Sequence, residues 1–416
     1  MDDRSQVMAR GAIEALRAGV PNRAAIRLLG ERGGALVNSF LDSLQQCSQG
    51  LDTGRQPNGV LVWGGFGAGK SHLLGYMREL ALERNFAVSL VPVSKETPMF
   101  DPGRLFAAAV RTAEVQGAND DLMTVVLSRL KPNTEPFERL EDWATREAQA
   151  GSLSTIFPAL LWLIPHLGPD EHARIARFFG GGRLNATVAR SWLREKGAAK
   201  LFDIRPTKEK ELARQRIRFA PRLMSSSGLA GWCLLLDEVE LIGRYSLLQR
   251  GRSYAELAGW FGRADTDAFA GIVTVAAFTD DYIDQMFDTR RDEERIAPAL
   301  EQKGLVSQAL LAGRLMSEMR SMPGVRLSAP DEEARRDAQK RIGDLYSVAY
   351  KWTPPPLAIT RSAQYSMRQH IKSWITEWDI ERLFGERPNI EVKSTPTDYT
   401  PSEDLEHAPA VVDDDE

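Results

Sequence analysis

Apolar positions recur along the chain with two different periods. Four short runs are almost unbroken: Val60 to Trp63, Phe86 to Val93, Trp232 to Leu236 and Ile272 to Phe278. Runs of this length, closed by glycine, asparagine or acids, predict strands buried on both faces, as in a parallel sheet. Elsewhere the period is that of a helix. Met8 to Leu16 and Arg23 to Leu29 are predicted helices broken by Gly19-Val20-Pro21-Asn22-Arg23, and a third through Phe40 to Leu44 ends near Gly50. Between Pro102 and Gly228 no strand is predicted. Arg104 to Val115, Asp120 to Leu130, Phe137 to Ala148, Ile156 to Leu167, Glu171 to Phe179 and Asn185 to Leu193 are all helical, and Pro or Gly marks most joints. Helices follow at Arg252 to Phe261, Tyr282 to Phe287, Glu332 to Tyr350 and, after Pro354-Pro355-Pro356, at Thr360 to Leu383. The fold class is α/β. The expected organisation is an N-terminal helical segment (1–50), a sheet core in two halves (51–101 and 229–300) split by a helical insertion (102–228), a helical C-terminal domain (301–387) and an acidic tail without order (388–416).

The chemistry is written at the strand ends. Val60 to Trp63 runs into Gly64-Gly65-Phe66-Gly67-Ala68-Gly69-Lys70-Ser71, followed by an amphipathic segment from His72 to Arg84. Strand, glycine-rich loop and helix in this order, with G-x-x-x-x-G-K-S spacing, predict a P-loop. The glycines let successive backbone N–H groups turn inward at the positive end of a helix and cradle a triphosphate. Lys70 would reach the β- and γ-phosphates of ATP and the Ser71 hydroxyl would ligate Mg²⁺. The run Trp232 to Leu236 ends in Asp237-Glu238, the Walker B pattern: Asp237 is placed to bind Mg²⁺ through water, Glu238 to orient or deprotonate the attacking water. Phe278 is followed by Thr279-Asp280-Asp281. There Thr279 could bond the γ-phosphate or the lytic water, or could cap the next helix. The end of the Phe86 to Val93 strand, Ser94-Lys95-Glu96-Thr97-Pro98, would face the same edge.

Composition narrows the class. The 416 residues are 43% hydrophobic and 26% charged, ordinary for a soluble globular protein of two or three domains. Met1-Asp2-Asp3-Arg4 lacks a signal-peptide profile and no apolar run approaches the ~20 residues of a membrane helix, so a cytoplasmic protein without a membrane partner is expected. Cys47 and Cys233 are too few for a metal cluster, and the five histidines show no ligand spacing. The formal charge of −4 is uneven: from Glu391 onward nine acids face one lysine, which leaves 52 basic and 48 acidic side chains in the rest. That mildly basic remainder permits nucleic-acid contact without demanding it.

Several basic residues carry open readings. Arg205, Lys208, Lys210, Arg214, Arg216, Arg218 and Arg222 form either a solvated helix face or a contact for phosphate backbone or a partner. Arg290, Arg291 and Arg295 suit a salt-bridged turn, or a finger reaching a neighbouring subunit's γ-phosphate. Trp374 and Trp378, four apart, read as core rather than a base-stacking platform. Arg368 sits on a C-terminal helix from which an arginine can reach a γ-phosphate.

The P-loop, the distant Leu-Leu-Leu-Asp-Glu strand and the helical segments at both ends resemble the AAA+ ATPases, nearest the ORC/Cdc6-like and STAND branches, with a parallel sheet, a large helical insertion and a C-terminal lid. More closely, Ala12 to Arg23, Trp63 to His72 and Ser94 to Pro98 resemble the BREX (bacteriophage exclusion) ATP-binding family, and the length suits its shorter, BrxD-like branch. The likeness spans roughly residues 8–384 and is weak in the insertion. It implies that Val20, Pro21, Asn22 and Arg23 line the adenine side, that Thr279 is sensor 1 and Arg368 sensor 2, and that Glu238 is the catalytic glutamate. It also implies phage defence beside a methyltransferase, a phosphatase-like protein and a helicase. No arginine is assignable as a trans-acting finger, which leaves self-association open. Three functions are expected: an ATPase that couples hydrolysis to remodelling of DNA or a defence complex, a non-hydrolysing nucleotide-gated scaffold, or an ORC-like loader that binds double-stranded DNA through the Arg205 to Arg222 stretch.

Overall fold

The computed structural model describes residues 3–18, 25, 34–51, 53–65, 67–264, 269–321, 325–327, 331–357 and 367–386. Its centre is a six-stranded sheet in the order β3-β2-β4-β5-β1-β6. The strands are β1 (Val60–Gly64), β2 (Ala87–Pro92), β3 (Ala113–Glu114), β4 (Trp232–Asp237), β5 (Ile272–Phe278) and β6 (Val325–Leu327). All neighbours run parallel except β2 and β3.

The unbroken apolar runs arise because both faces of these strands are covered. Val60, Val62, Val88, Cys233, Leu235, Val273, Val275 and Ala277 pack on one face with Leu36, Phe40 and Leu44 of α2 (Gly34–Gly50) and Leu73, Leu74 and Met77 of α3 (Lys70–Glu83). The alternate residues Trp63, Ala87, Val91, Trp232, Leu234, Leu236, Ile272, Ala276 and Phe278 point the other way. That second face packs against α4 (Pro102–Arg111), α10 (Glu209–Ser226) and α11 (Leu247–Trp260).

Between α4 and α10 lie five helices: α5 (Leu122–Arg129), α6 (Glu135–Gln149), α7 (Ile156–Leu163), α8 (Pro169–Phe179) and α9 (Ala186–Glu195). Their apolar residues, including Phe137, Phe157, Phe178 and Phe179, are continuous with the core on that sheet face. The expectation of no strand in 102–228 is corrected at one place. Helix α4 stops at Arg111, and Ala113 and Glu114 pair antiparallel with Ser89 and Val88 at the sheet edge. Two residues are too few to show an alternating period.

The segment 301–387, expected as one helical lid, is divided. Helix α12 (Asp292–Glu301) leads into α13 (Val306–Ser321), whose Ala309, Ala312, Leu315, Met316 and Met319 join the sheet core. Strand β6 then pairs with Val62 to Gly64 of β1. The lid proper is α14 (Glu332–Tyr350) and α15 (Met367–Phe384), completed by α1 (Asp3–Ala18) from the other end of the chain. Ala9, Ala12, Ile13 and Leu16 pack there with Ile342, Tyr346, Ile371, Trp374 and Trp378. Residues 1–50 therefore do not act together: α1 belongs to the lid and α2 to the sheet. Both helices are amphipathic, and periodicity reveals a sticky face without naming its partner.

Polar contacts fix this small third core. Gln6 Nε2 and Arg10 Nε donate to the Ala349 carbonyl at 3.1 and 2.9 Å, satisfying an acceptor in the last turn of α14. Arg17 pairs with Asp379 at 2.7 Å, and the Tyr346 hydroxyl donates to the same carboxylate at 2.7 Å. Trp374 and Trp378 are buried, and Trp378 Nε1 donates to the Pro355 carbonyl at 3.0 Å, so this pair is core and no stacking platform. Among the described residues no helix is long and apolar enough to cross a membrane.

Removing Trp378 takes away a buried ring and one hydrogen bond together. Trp378→Ala should destabilise the lid by about 3–5 kcal/mol. Hydrogen exchange would then show protection lost in α1, α14 and α15 while β4 and β5 keep theirs.

Candidate functional site

Parallel pairing sends the carboxyl ends of β1, β2, β4 and β5 to one edge of the sheet, where ligands of open α/β sheets bind. The register aligns Trp63 with Phe278 and Pro92 with Asp237. The glycine-rich loop leaves this edge directly after β1 and enters α3 at Lys70. Phe66 lies outside the described residues; Gly64, Gly65, Gly67, Ala68 and Gly69 lie within them. Gly69 holds a left-handed φ of 103° at the start of α3, a conformation that a side chain would strain. At Gly64 an added Cβ would stand 3.2 Å from the Cβ atoms of both Ala68 and Leu327, so this position is closed on two sides.

Lys70 is buried within the loop, and its Nζ donates to the Gly64 carbonyl at 2.8 Å and the Gly65 carbonyl at 3.4 Å. Ser71 is exposed in the first turn of α3 and His72 beside it is half-buried. The first-turn amides of this helix point toward the loop, as an anion requires.

The carboxylates come from β4. Asp237 Oδ1 accepts the Glu238 N–H at 2.9 Å. Glu238 takes a left-handed conformation, φ 55°, and turns the chain into a 3₁₀ segment, Val239–Arg244. The Glu238 side chain is exposed at the rim. Partial desolvation raises its pKa, as does the neighbouring Asp237 carboxylate, while Arg368 and Lys70 oppose the rise. Both cations are thus within electrostatic reach of Glu238, and Arg368 stands exposed on the first turn of α15 in the lid. Lys70, Asp237 and Arg368 thus all act electrostatically on Glu238, although they come from the loop, the sheet and the C-terminal helices.

Thr279 is buried at the end of β5, and its carbonyl accepts the Tyr282 N–H at 3.2 Å. The helix expected over Tyr282 to Phe287 is a π-helical turn, Asp284–Thr289, that begins after Ile283 without a side-chain cap. The next residue faces the loop: Asp280 Oδ2 is 3.7 Å from where a Gly65 Cβ would be, and its Oδ1 is buried without a hydrogen-bond partner. Sequence reading also passed over Glu240, which is buried behind Glu238. The available signal was a second glutamate at an inward position of Asp237-Glu238-Val239-Glu240.

Other candidates fall elsewhere. Val20, Pro21, Asn22 and Arg23 lie outside the described residues. The Arg290 Nη1 donates to the Gly243 carbonyl at 2.6 Å, exposed Arg291 pairs with Glu294, and Arg295 donates to the Arg290 carbonyl at 3.3 Å. These are the contacts of a salt-bridged turn.

The basic stretch is turned inward. Arg214 pairs with buried Glu256 at 2.9 Å and Arg218 with Glu147 at 2.8 Å. Arg216 is 2% exposed, pairs with Glu209, donates to the Gly182 carbonyl at 2.9 Å and lies over the Phe178 ring. Arg222 donates to the Leu51 carbonyl at 3.2 Å and covers the Trp143 ring. Arg205 pairs with Asp203 at 2.8 Å, leaving Lys208 and Lys210 as exposed cations of the seven. Of the two open readings for this stretch, a solvated helix face or a phosphate or partner contact, Arg214, Arg216, Arg218 and Arg222 fit neither, because their head groups are engaged within the chain. Arg214 and Arg218 are claimed by acids 42 and 71 residues distant in sequence, which no local pattern reveals.

Among the described residues no group of three or more His, Cys, Asp or Glu could hold a metal ion by itself. A hydrated Mg²⁺ needs no such group, since it keeps several waters and takes one or two protein ligands beside phosphate oxygens. Asp237 and the exposed Ser71 hydroxyl are of the right chemistry for such a hydrated ion. Cys47 and Cys233 are free and buried.

Residues 5–128 match the family model described as BREX system ATP-binding protein BrxC/D. This stretch includes β1, the glycine-rich loop, α3 and β2. No curated protein and no solved structure matches the chain.

Because buried Arg216 covers the Phe178 ring and donates to the Gly182 carbonyl, Arg216→Ala should cost about 1–3 kcal/mol of stability by removing that packing and leaving the carbonyl without its donor. Urea unfolding of the variant checks this. A surface arginine devoted to nucleic acid would leave the midpoint unchanged.

Proposed function

Proceeding from the BREX ATP-binding protein family to which residues 5–128 belong, we propose that this chain is an AAA+-like ATPase that hydrolyses magnesium-bound ATP at the edge formed by β1, β4 and β5. One observation carries the reading: a single carboxylate, Glu238, feels both the loop lysine and the lid arginine. A base at the γ-phosphate needs such surroundings, with one cation on each side of the charge that develops.

The roles follow from position. Backbone amides of Gly65 to Gly69 and of the first turn of α3 would hold the phosphates, with Phe66 inside that loop. Lys70 would exchange its carbonyl acceptors for the β- and γ-phosphate oxygens. Ser71 and, through water, Asp237 would hold Mg²⁺, which when bound neutralises charge on the phosphates and fixes their orientation. Glu238 would take the proton of the attacking water, and its raised pKa makes it a stronger base than an ordinary surface glutamate. Thr279 and Asp280 supply polar groups at the same edge. Arg368 would contact the γ-phosphate from the lid, so that hydrolysis releases the lid. Val20 to Arg23 would line the adenine.

In that role the protein works beside other BREX components, and by family likeness these are a methyltransferase, a phosphatase-like protein and a helicase. Direct loading onto double-stranded DNA is the weaker reading, since the arginines that motivated it are engaged within the chain. A nucleotide-gated scaffold has one observation in its favour: Arg290, Arg291 and Arg295 are occupied by contacts in their own chain, which argues for slow turnover in isolation.

The decisive comparison is between Lys70→Ala and Glu238→Gln. Lys70→Ala should abolish ATP binding. Glu238→Gln should retain it and reduce phosphate release by about 10²- to 10⁴-fold. Equal hydrolysis by wild type and Glu238→Gln would remove Glu238 as the base, and background hydrolysis by a wild type that binds ATP would establish the scaffold.

A further inference from the structure

The basic surplus of residues 1–390 is gathered in one part of the helical insertion. Between Pro169 and Lys210 stand ten basic and five acidic side chains, and the rest of those 390 residues holds 42 basic and 43 acidic ones. All ten cations are exposed. They belong to α8, α9, the links that follow each and the start of α10, and α8 and α9 pack on α5 and α7 of the insertion. The Arg174 guanidinium lies 5.1 Å over the Trp192 ring and so joins α8 to α9. Arg190 Nε and Nη2 donate to the Ile204 carbonyl at 3.2 and 2.7 Å, which joins α9 to the link after it.

Little within the chain neutralises these charges. Lys196 pairs with Glu195 at 3.5 Å and Arg205 with Asp203 at 2.8 Å. Glu209 is taken by buried Arg216, and Glu171 accepts the Gly168 N–H at the start of α8. Arg177, Arg183, Arg194, Lys200, Lys208 and Lys210 make no ion pair within 4.0 Å among the described residues. Lys208 and Lys210 moreover stand at the N-terminal end of α10, where the helix dipole disfavours a cation. Further along α10 the fold treats arginines differently, meeting Arg214 and Arg218 with Glu256 and Glu147. Like charges left side by side repel one another, so an unmatched cluster calls for a partner that brings the counter-charge.

We propose that this face binds the sugar-phosphate backbone of duplex DNA without reading its sequence. A small anion needs donors that converge on one point, whereas these cations are spread over two helices of 11 and 10 residues. Each helix is about 15 Å long. Over that length a duplex presents a row of phosphates, with one charge per about 1.7 Å of its axis. A single strand would call for free rings on which its bases stack. The rings here are taken: Trp192 is buried under Arg174, and half-buried Phe202 lies beside Trp162 with centroids 6.4 Å apart. Neither the glycine-rich loop nor the engaged arginines of α10 take part, so this face does not depend on the nucleotide site.

The test is fluorescence anisotropy of the full-length chain with a labelled DNA duplex of arbitrary sequence, titrated from about 50 to about 200 mM salt. Six phosphate contacts should make affinity fall about 10³-fold over that range, equally for two unrelated sequences. Arg183→Ala, Arg194→Ala and Lys200→Ala combined in one chain should make the slope of log affinity against log salt shallower by about three. The same variant should bind about 10²- to 10³-fold more weakly at the lower salt. Exposed substitutions of this kind leave the fold in place, so melting temperature and ATP affinity should stay at wild-type values. A triple variant with wild-type affinity and wild-type salt slope overturns the proposal. Wild-type affinity that does not change with salt overturns it without any variant. So does a wild type that ignores the duplex at the lower salt, whether it prefers a single strand or its own acidic residues 391–416 occupy the face.

Discussion

The pairing of β4 between β2 and β5 is the constraint on which the site depends. All six residues of β4 are in parallel register with β2, from Ala87 with Trp232 to Pro92 with Asp237, and five of them with β5. Because the side-chain period of a strand is two, a slip of one residue would exchange Trp232, Leu234 and Leu236 with Cys233 and Leu235. The first set packs under large aromatic rings and the second under α2 and α3, so a slip would leave voids on one face and clashes on the other. The tip of the strand, and with it Asp237 and Glu238, is held where it is by the volumes of residues that never touch a ligand. The one polar side chain in β2 obeys the same logic: Ser89 donates to the Ala109 carbonyl at 2.6 Å and accepts from Trp232 Nε1 at 2.8 Å.

Past the tip, a buried charge network replaces sheet hydrogen bonding as the source of rigidity. Arg250 is held by Asp292 in a two-pronged pair at 2.8 and 2.6 Å and donates its remaining branch to the Tyr245 carbonyl at 2.8 Å. Arg290 donates to the Gly243 carbonyl, and the Tyr254 and Tyr282 hydroxyls share a bond of 2.8 Å beside the same carboxylate. A pair this deep contributes little net stability against an apolar equivalent, yet losing one member leaves a stranded charge. It anchors the far end of the 3₁₀ segment that carries Glu240, through the Gly243 and Tyr245 carbonyls, to Arg290 and Arg250.

The parts that could be read in the sequence are those whose signal is local. Four apolar runs gave four central strands because burial on both faces leaves no room for polar residues, and the glycine-rich spacing gave the loop because backbone conformation demands it at Gly69. What could not be read depends on partners far along the chain. Helix α1 has the same kind of apolar stripe as α2, and only the shape of Tyr346 and Trp378 on the other side decides that it joins the lid. The arginines of α10 looked like a basic face because Glu147 and Glu256 are remote in sequence. Strand β6 is three residues long and shows no period at all. At the site, Lys70, Asp237 and Glu238 stood out by motif, whereas Glu240 and Asp280 gained meaning only from burial and from what lies beside them.

The first helix and the last two form one body, and the chain crosses between that body and the sheet twice, once from α1 to α2 and once from β6 to α14. Because Ala12 and Ile13 of α1 cover the same small core as Ile371 and Trp374 of α15, the two ends of the chain hold one another in place, and loss of the first helix would lay bare the apolar side of the helix that carries Arg368.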